Sequence, residues 1–578
     1  MCPQSIPISQ ALSGAVAHHQ AGRLEQAEQI YRQIISQNPN EADALQLLGT
    51  LLGQKGDLKS AEELIRKSLA IAPTSASAYM NLGEFLRRMG RPAEAVGTIL
   101  EGMRYRPSAA ALDNLASALR DLNCDDAAID ALRMAMKFDA RYLPALLKLG
   151  MILGENGRLA EAREALERAA AIRPDSRELI DKVLSQPPAP PREKLSLADV
   201  NDARAAVAIS GAMTLLHRYE DAIAAAIRAT ELSPRMVDPL VNLGWLYNLV
   251  GRPDQAAAAC ERAIEINPND APAHLNLGVL RLLQGDFSRG WPLYEYRKQC
   301  PGFRFARYPQ PQWDGKPLDG RWILLWYEQG LGDTIQFLRY VPQVADRGGK
   351  IFLAVQPELR RLVEGNIAVE RWVDLSLPLP EFDVQCSLLS LPLAMGTTVQ
   401  TIPAEISYLK PSDESVGKWA ERMKPYRGQL RIGLSWAGRP GHINDANRSM
   451  QLKDLSPLAA TDGVFFSLQK WNTGLSVAPP DAAMKLIDWT TDLADMADTA
   501  GFIANLDLVI SVDSAVAHLA GAMGARVWVL LPKAPDWRWL LGREDSPWYP
   551  TMRLFRQVKL GDWMEPVAGM ALEILKLK

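Results

Sequence analysis

Residues 506–522, LDLVISVDSAVAHLAGA, decide how the second half of the chain folds. Leu508–Val512 has the apolar, β-branched pattern of a buried strand. It runs into Asp513-Ser514, after which an alanine-rich helical pattern begins and carries His518 on its first turns. The first amides of a helix have no internal partner, and the helix dipole favours negative charge beside them. A strand that ends in a small-residue turn and opens a helix is therefore suited to an anion. Residues 526–531, RVWVLL, read as the next buried strand. The site then lies at the carboxyl end of the first strand, where open α/β sheets take ligands. Two readings follow. Asp513, Ser514, Ala515 and His518 surround the phosphates of a donor, or Asp513 caps the helix and His518 is a core residue.

The same alternation extends upstream. Strand-like runs occupy 321–327 (RWILLWY), 350–355 (KIFLAV) and 382–386, and after a linker near 411–429 they resume at 431–436 (RIGLSW), 464–468 and 484–487. Helical patterns separate several of them, which implies parallel sheets with right-handed crossovers. Two such units in tandem make the cleft between them the expected site. Residues 562–577 read as a closing helix.

Three further stretches carry chemistry. In Glu328-Gln329-Gly330-Leu331-Gly332-Asp333-Thr334 the glycines permit a tight turn after the first strand. Asp333 then serves either as a general base for an acceptor hydroxyl or as a helix N-cap. The loop from Trp436 to Asp445, with Arg448-Ser449 beyond, offers Arg448 or Arg439 to a diphosphate leaving group, if neither is a plain solvated arginine. Ser467-Leu468-Gln469-Lys470 ends a strand, so Gln469 or Lys470 reaches a nucleotide's ribose or phosphate, or marks an ordinary strand end.

The first half has another period. Prolines recur at Pro39, Pro73, Pro107, Pro174, Pro234 and Pro268, in steps of 34 residues where no unit is degenerate or interrupted. Gly49, Gly83, Gly150, Gly244 and Gly278 hold one phase, and Ala61, Ala95, Ala162 and Ala256 lie twelve residues beyond it. Small residues at fixed phase let two helices approach closely, and proline stops the second. This resembles the tetratricopeptide repeat across about residues 8–298. Five units occupy 1–178, a proline-rich break lies within 179–200, and three units with an aromatic capping helix at 290–297 fill 201–298. Asn81, Asn114, Asn242 and Asn276 stand two positions before the phase glycine or its equivalent, with Leu47 and Lys148 interrupting the series. In the repeat-bearing O-linked N-acetylglucosamine transferases a similar asparagine ladder holds an extended peptide, and the resemblance implies a protein acceptor bound the same way.

Composition excludes several classes. At 578 residues, 48% hydrophobic and 23% charged, the chain is an ordinary multidomain protein. A net charge of −3 argues against a nucleic-acid-coating surface. No run approaches the roughly 18 apolar residues of a membrane helix, and the N-terminus lacks the marks of a secretory signal. Cys2, Cys124, Cys260, Cys300 and Cys386 are scattered without CxxC spacing, which predicts no disulfide framework, no zinc site and a cytoplasmic setting. No Asp-x-Asp metal motif occurs, and Asp492, Asp495 and Asp498, three apart, read as lining one helix. No metal or cofactor is expected.

Residues 300–578 resemble the heptosyltransferase-like glycosyltransferases of the GT-B fold, with two Rossmann-like domains at 299–415 and 416–578. Gly332-Asp333 and Asp513-Ser514-Ala515-Val516-Ala517-His518 match that family's two signatures, although the family usually has glycine where this chain has Ala515. The resemblance implies that Asp333 is the base, that the second signature and its histidine hold a nucleotide diphosphate, and that Arg448 supports the donor. The tail Pro535-Asp536-Trp537-Arg538-Trp539 and Ser546-Pro547-Trp548-Tyr549-Pro550 looks like that of bacterial proteins fusing these repeats to this domain, some of which glycosylate flagellin. The expectation is an inverting, metal-independent protein O-glycosyltransferase, with a nucleotide sugar as co-substrate and flagellin as the best guess for its acceptor. The rivals are a lipid-linked or saccharide acceptor, and a scaffold or chaperone without turnover.

Overall fold

The computed structural model describes residues 7–187, 195–300, 306–439, 444–470, 484 and 486–577. Cys2, the prolines at 188, 190 and 191, and the loop 440–443 with His442 lie outside them. The chain divides into two compact units, Met1–Leu246 and Tyr247–Lys578.

The first unit is helical. Five antiparallel pairs open it: Ile8–Gln20 with Leu24–Gln37, Ala42–Gln54 with Leu58–Ile71, Ala76–Arg88 with Pro92–Tyr105, Ala109–Asp121 with Asp125–Phe138, and Leu143–Glu155 with Leu159–Ile172. Glycine at the crossing lets the second, third and fifth pairs close. A Cβ on Gly83 would meet Ile99 Cγ1 at 2.6 Å, and one on Gly150 would meet Leu166 Cγ at 2.4 Å. The turn inside a pair needs one left-handed residue, such as Gly90 at φ 75°. Asn123 and His217 fill that post at φ 58° and 59°. Asp57, Ser75 and Ser108 cap their helices by accepting an amide hydrogen bond.

After the fifth pair the helix Arg177–Ser185 lays Ile180 and Val183 against Leu166. That covers the apolar end of the stack, and the sixth pair goes elsewhere. Its first helix, Ala203–Leu215, packs across Pro92–Tyr105 of the third pair. Glycines permit the crossing: a Cβ on Gly97 would lie 3.4 Å from Ala208 Cβ, and one on Gly211 would lie 3.1 Å from Leu100 Cδ1. The sixth pair thus branches from the third pair of the five-pair stack.

The second unit begins within the helix Val237–Leu249 and continues through Pro253–Ile266, Ala271–Leu283, Phe287–Tyr294 and the 3-10 turn Glu295–Gln299. The aromatic capping helix expected at 290–297 therefore starts and ends three residues earlier. Its rings dock on the C-terminal tail, with Trp291 5.2 Å from Trp537 and Phe287 6.1 Å from Trp548 between ring centroids.

Two parallel sheets follow. The first, in the order β3-β2-β1-β4, contains β1 (Trp322–Trp326), β2 (Lys350–Leu353), β3 (Arg371–Trp372) and β4 (Val384–Ser387). The second, in the order β10-β9-β8-β5-β6-β7, contains β5 (Arg431–Ser435), β6 (Val464–Ser467), β7 (Leu486–Ile487), β8 (Leu508–Val512), β9 (Val527–Leu531) and β10 (Met552–Arg556). The two-residue β3 and the edge strand β10 were not expected. The helix Asp413–Met423 crosses the expected division at 415/416 and belongs with the second sheet, because buried Trp419 stacks on Phe502 at 4.6 Å. Nor do the three spaced aspartates line one helix. Asp495 caps Met496–Ile503 by accepting from the amides of Ala497 and Asp498, Asp492 ends a separate 3-10 turn, and Arg361 pairs with Asp495 and Asp498 at 2.6 and 2.8 Å. Among the described residues no helix is long and apolar enough to cross a membrane.

Candidate functional site

Each sheet reverses strand order once, between β1 and β4 in the first and between β5 and β8 in the second. Loops leaving neighbouring strands in opposite directions open a crevice at such a point. The first crevice is filled. Arg297, from the turn closing the last helix pair, enters it and donates to Glu328 after β1 at 2.6 Å, to Ser387 at the end of β4 at 3.3 Å and to Ser390 at 2.9 Å. The Arg297 and Glu328 side chains are 0% exposed. Glu295 and Lys298 complete the cluster. Burial pushes the Glu295 carboxyl up, but the Arg297 and Lys298 charges outweigh it and hold it at about 2.

The second crevice keeps half-exposed groups at its mouth. Asp513 follows β8, Ser514 is the N-cap of the helix Ala515–Ala522, and its side chain makes no capping hydrogen bond to that helix. Ser511 Oγ donates to Val512 O at 2.7 Å and lies 3.0 Å from Ser514 Oγ, so the Ser514 hydroxyl is turned back toward the strand. Ser514, Ala515 and Val516 remain half-exposed. From the β5 side, Arg448 lies over the backbone of Gly438: a Cβ there would meet Arg448 Nη2 at 2.5 Å. Its Nε is 3.5 Å from Asp445 Oδ1 and is buried without a hydrogen-bond partner. Arg448 and Asp513 are thereby brought to one crevice. Burial pushes the Asp513 carboxyl up, and His518, Arg448 and Arg538 together reverse the direction.

Gly332 and Asp333 face the same helix. Gly332 packs so closely that a Cβ would be 2.8 Å from His518 Cδ2 and 3.4 Å from Ala515 Cα. The two sequence signatures, 180 residues apart, touch. Asp333 Oδ2 accepts the Gly330 amide at 2.9 Å, and Oδ1 accepts from Arg538 Nη2. Asp333 thus caps its helix and forms an ion pair, while its side chain stays 19% exposed. Burial works against the Arg538 charge, and Asp536 and Asp333 overcome it, so the guanidinium stays ionised.

The other expected donor contacts differ. His518 is buried, 2.9 Å from Tyr549 Oη through Nδ1, 3.8 Å from Asp513 through Nε2 and stacked on Trp539. It lies against Asp513 from the core side. Gln469 is buried as well. Its Oε1 accepts from the amides of Trp436 and Ala437 at 3.1 and 2.9 Å and fastens the loop after β5. Lys470 Nζ donates to the carbonyls of Leu493 and Ala494.

In the repeats, Asn81 Nδ2 donates to Thr50 Oγ1 of the neighbouring helix at 2.8 Å. Asn114, Asn242 and Asn276 are half-buried. Lys148 interrupts the series by pairing with Asp113 and Ser117, both at 2.9 Å. Arg297, Glu328 and Arg538 were not assigned roles from the sequence. An arginine between two tryptophans, Trp537-Arg538-Trp539, was the signal available for one of them.

The family models that match the chain lie in its helical half. Models of the tetratricopeptide repeat match residues 18–68, 47–110, 143–176, 237–270 and 259–290. The chain is 28% identical to Protein FlbA of Caulobacter vibrioides (strain ATCC 19089 / CIP 103742 / CB 15), over 50% of this chain and 52% of that one, so it spans about half the length of the curated relative it matches. Among solved structures, pilF of Pseudomonas aeruginosa is 18% identical with a TM-score of 0.27, covering 40% of this chain and 94% of that one. YrrB, a TPR protein with an unusual peptide-binding site, is 17% identical with a TM-score of 0.21, covering 42% and 95%. The N-terminal half of this chain is built from tetratricopeptide repeats.

Proposed function

We propose that the chain is an inverting, metal-independent glycosyltransferase of GT-B type that moves a sugar from a nucleotide-diphosphate donor to a Ser or Thr hydroxyl of a protein held by the repeats. The observation that carries this reading is the packing of the Gly332-Asp333 turn onto the first turn of the helix after Asp513, at the reversal of strand order in the second sheet. Asp333 takes the proton of the acceptor hydroxyl, and that oxygen bonds to the anomeric carbon as the bond from carbon to the phosphate oxygen breaks. The electron pair leaves with the diphosphate. Its charge falls among the first amides of Ala515–Ala522 and the Arg448 guanidinium, donors that strengthen their hold as charge develops. His518 acts by holding Asp513 and the helix in place.

The filled first crevice supports a protein acceptor over a free saccharide, since Arg297 and Glu328 occupy the ligand position of that sheet. Binding by the repeats supplies selectivity that one hydroxyl cannot, and raises the local concentration of acceptor. Flagellin, from the resemblance of the tail, is the best candidate. One observation favours a scaffold without turnover: both Asp333 oxygens already have donors, as a purely structural cap would. Intact-mass spectrometry of the protein co-purifying with the full chain separates the two. A partner heavier by sugar units with wild type but not with Asp333→Asn supports transfer. A partner of equal mass in both rejects it.

A further inference from the structure

We infer that Arg538 is the positioning residue of Asp333, an inference that rests on the proposed transferase reading. Arg538 lies in the 3-10 turn Trp537–Trp539 after β9, nearly fully buried. Each of its three guanidinium nitrogens has an acceptor. Nη2 donates to Asp333 Oδ1, Nε to Gln336 Oε1 at 2.6 Å and Nη1 to Asp536 Oδ1 at 2.8 Å. The guanidinium is also stacked over Trp537, 4.4 Å from the ring centroid. Two of the acceptors, Asp333 and Gln336, belong to the helix Leu331–Phe337 beside the first sheet, while Arg538 comes from the second.

The consequence is geometric. One carboxylate oxygen is fixed by the Gly330 amide and the other by Arg538, so the plane of the Asp333 carboxylate is set by a residue of the opposite half. A lysine cannot reproduce this hold, because its ammonium is a point charge on a flexible stem and lacks the planar fork. The Asp333 side chain is 19% exposed and that of Arg538 7%, so the carboxylate is the more accessible member of the pair. The carboxylate that Arg538 holds lies beside the helix that starts the second signature.

The test separates positioning from mere support by reading two properties of the full-length chain. The first is the rate at which the co-purifying protein gains mass in cells carrying each variant. The second is calorimetric affinity for inorganic pyrophosphate, the probe for the Asp513 and Arg448 crevice. Arg538→Lys is expected to lower the modification rate about 100-fold, the cost of misplacing a reacting group by about 1 Å, and to leave pyrophosphate affinity within about threefold of wild type. Retention of wild-type rate, or loss of pyrophosphate affinity in step with rate, overturns the inference. Should Arg538→Lys fail to fold, Asp536→Asn decides. Asparagine still caps the turn, and loosening one anchor of the fork should slow modification several-fold with pyrophosphate binding unchanged; wild-type rate there overturns the inference. Asp333→Asn runs alongside. Full modification by that variant would reject the transferase reading of Asp333 itself, whatever Arg538 does.

Discussion

The four strands of the first sheet follow the same order as the first four of the second, and the sheets differ in what occupies the point where that order reverses. In the first, Arg297 and Glu328 fill the crevice with a buried ion pair and two serine hydroxyls. In the second, Asp513 is buried and Arg448 nearly so, but Ser514, Ala515 and Val516, at the uncapped start of Ala515–Ala522, stay half-exposed. Equal topology does not mean equal function. A crevice becomes a binding site only when its polar groups are left for a ligand, and the first sheet spends its groups on the closing turn of the last repeat.

If that contrast holds, substitutions in the first crevice act on stability and those in the second act on ligand. Arg297→Met should have the largest effect, since it strands Glu328 without a counter-charge, and breaking a buried pair costs about 3–5 kcal/mol. Urea denaturation measures the loss, and adding Glu328→Gln to the same chain should recover most of it. The acid side of the stability profile gives the next effect. Glu295 is held at about 2, so its contribution is present above its ordinary range and is lost as pH falls through the window from near 4.5 to 2. The shift corresponds to about 3 kcal/mol, which Glu295→Gln should remove from the pH dependence of the unfolding midpoint. Gly332→Ala, at the contact between the two halves, forces a methyl against His518 and should cost about 1–3 kcal/mol, with modification falling as the two signatures part. Smallest for stability is Arg448→Gln, about 1 kcal/mol, while pyrophosphate affinity by calorimetry should fall about tenfold, or ~1.4 kcal/mol. A destabilised Arg448→Gln with normal affinity would erase the contrast.

The sequence made some of this visible and hid the rest for physical reasons. Local periodicity sufficed for β8, whose bounds are as expected, for β9, which starts one residue later, and for the paired helices, where Gly49, Gly83 and Gly150 sit at close crossings as their phase implied. It failed for β10 and β3, edge strands whose patterns are short or mixed. The branch at the third pair was out of reach too, because Gly97 and Gly211 look like ordinary small residues until the helices cross. At the candidate site, Gly332, Asp333, Arg448 and Asp513 could be named from motif and turn chemistry. That His518 and Gln469 face inward could not, since burial depends on Tyr549, Trp539 and the loop after β5, all distant in sequence. Arg297 and Arg538 escaped for the same reason: each acts on a residue more than thirty or two hundred positions away, respectively.

Hydrogen–deuterium exchange of the full chain, with and without saturating pyrophosphate, tests the contrast between the crevices most directly. The account predicts slower exchange at 436–439, 444–449 and 513–518, and no change at 387–390, where Arg297 already occupies the crevice. Protection at 387–390, or none at 513–518, would contradict it.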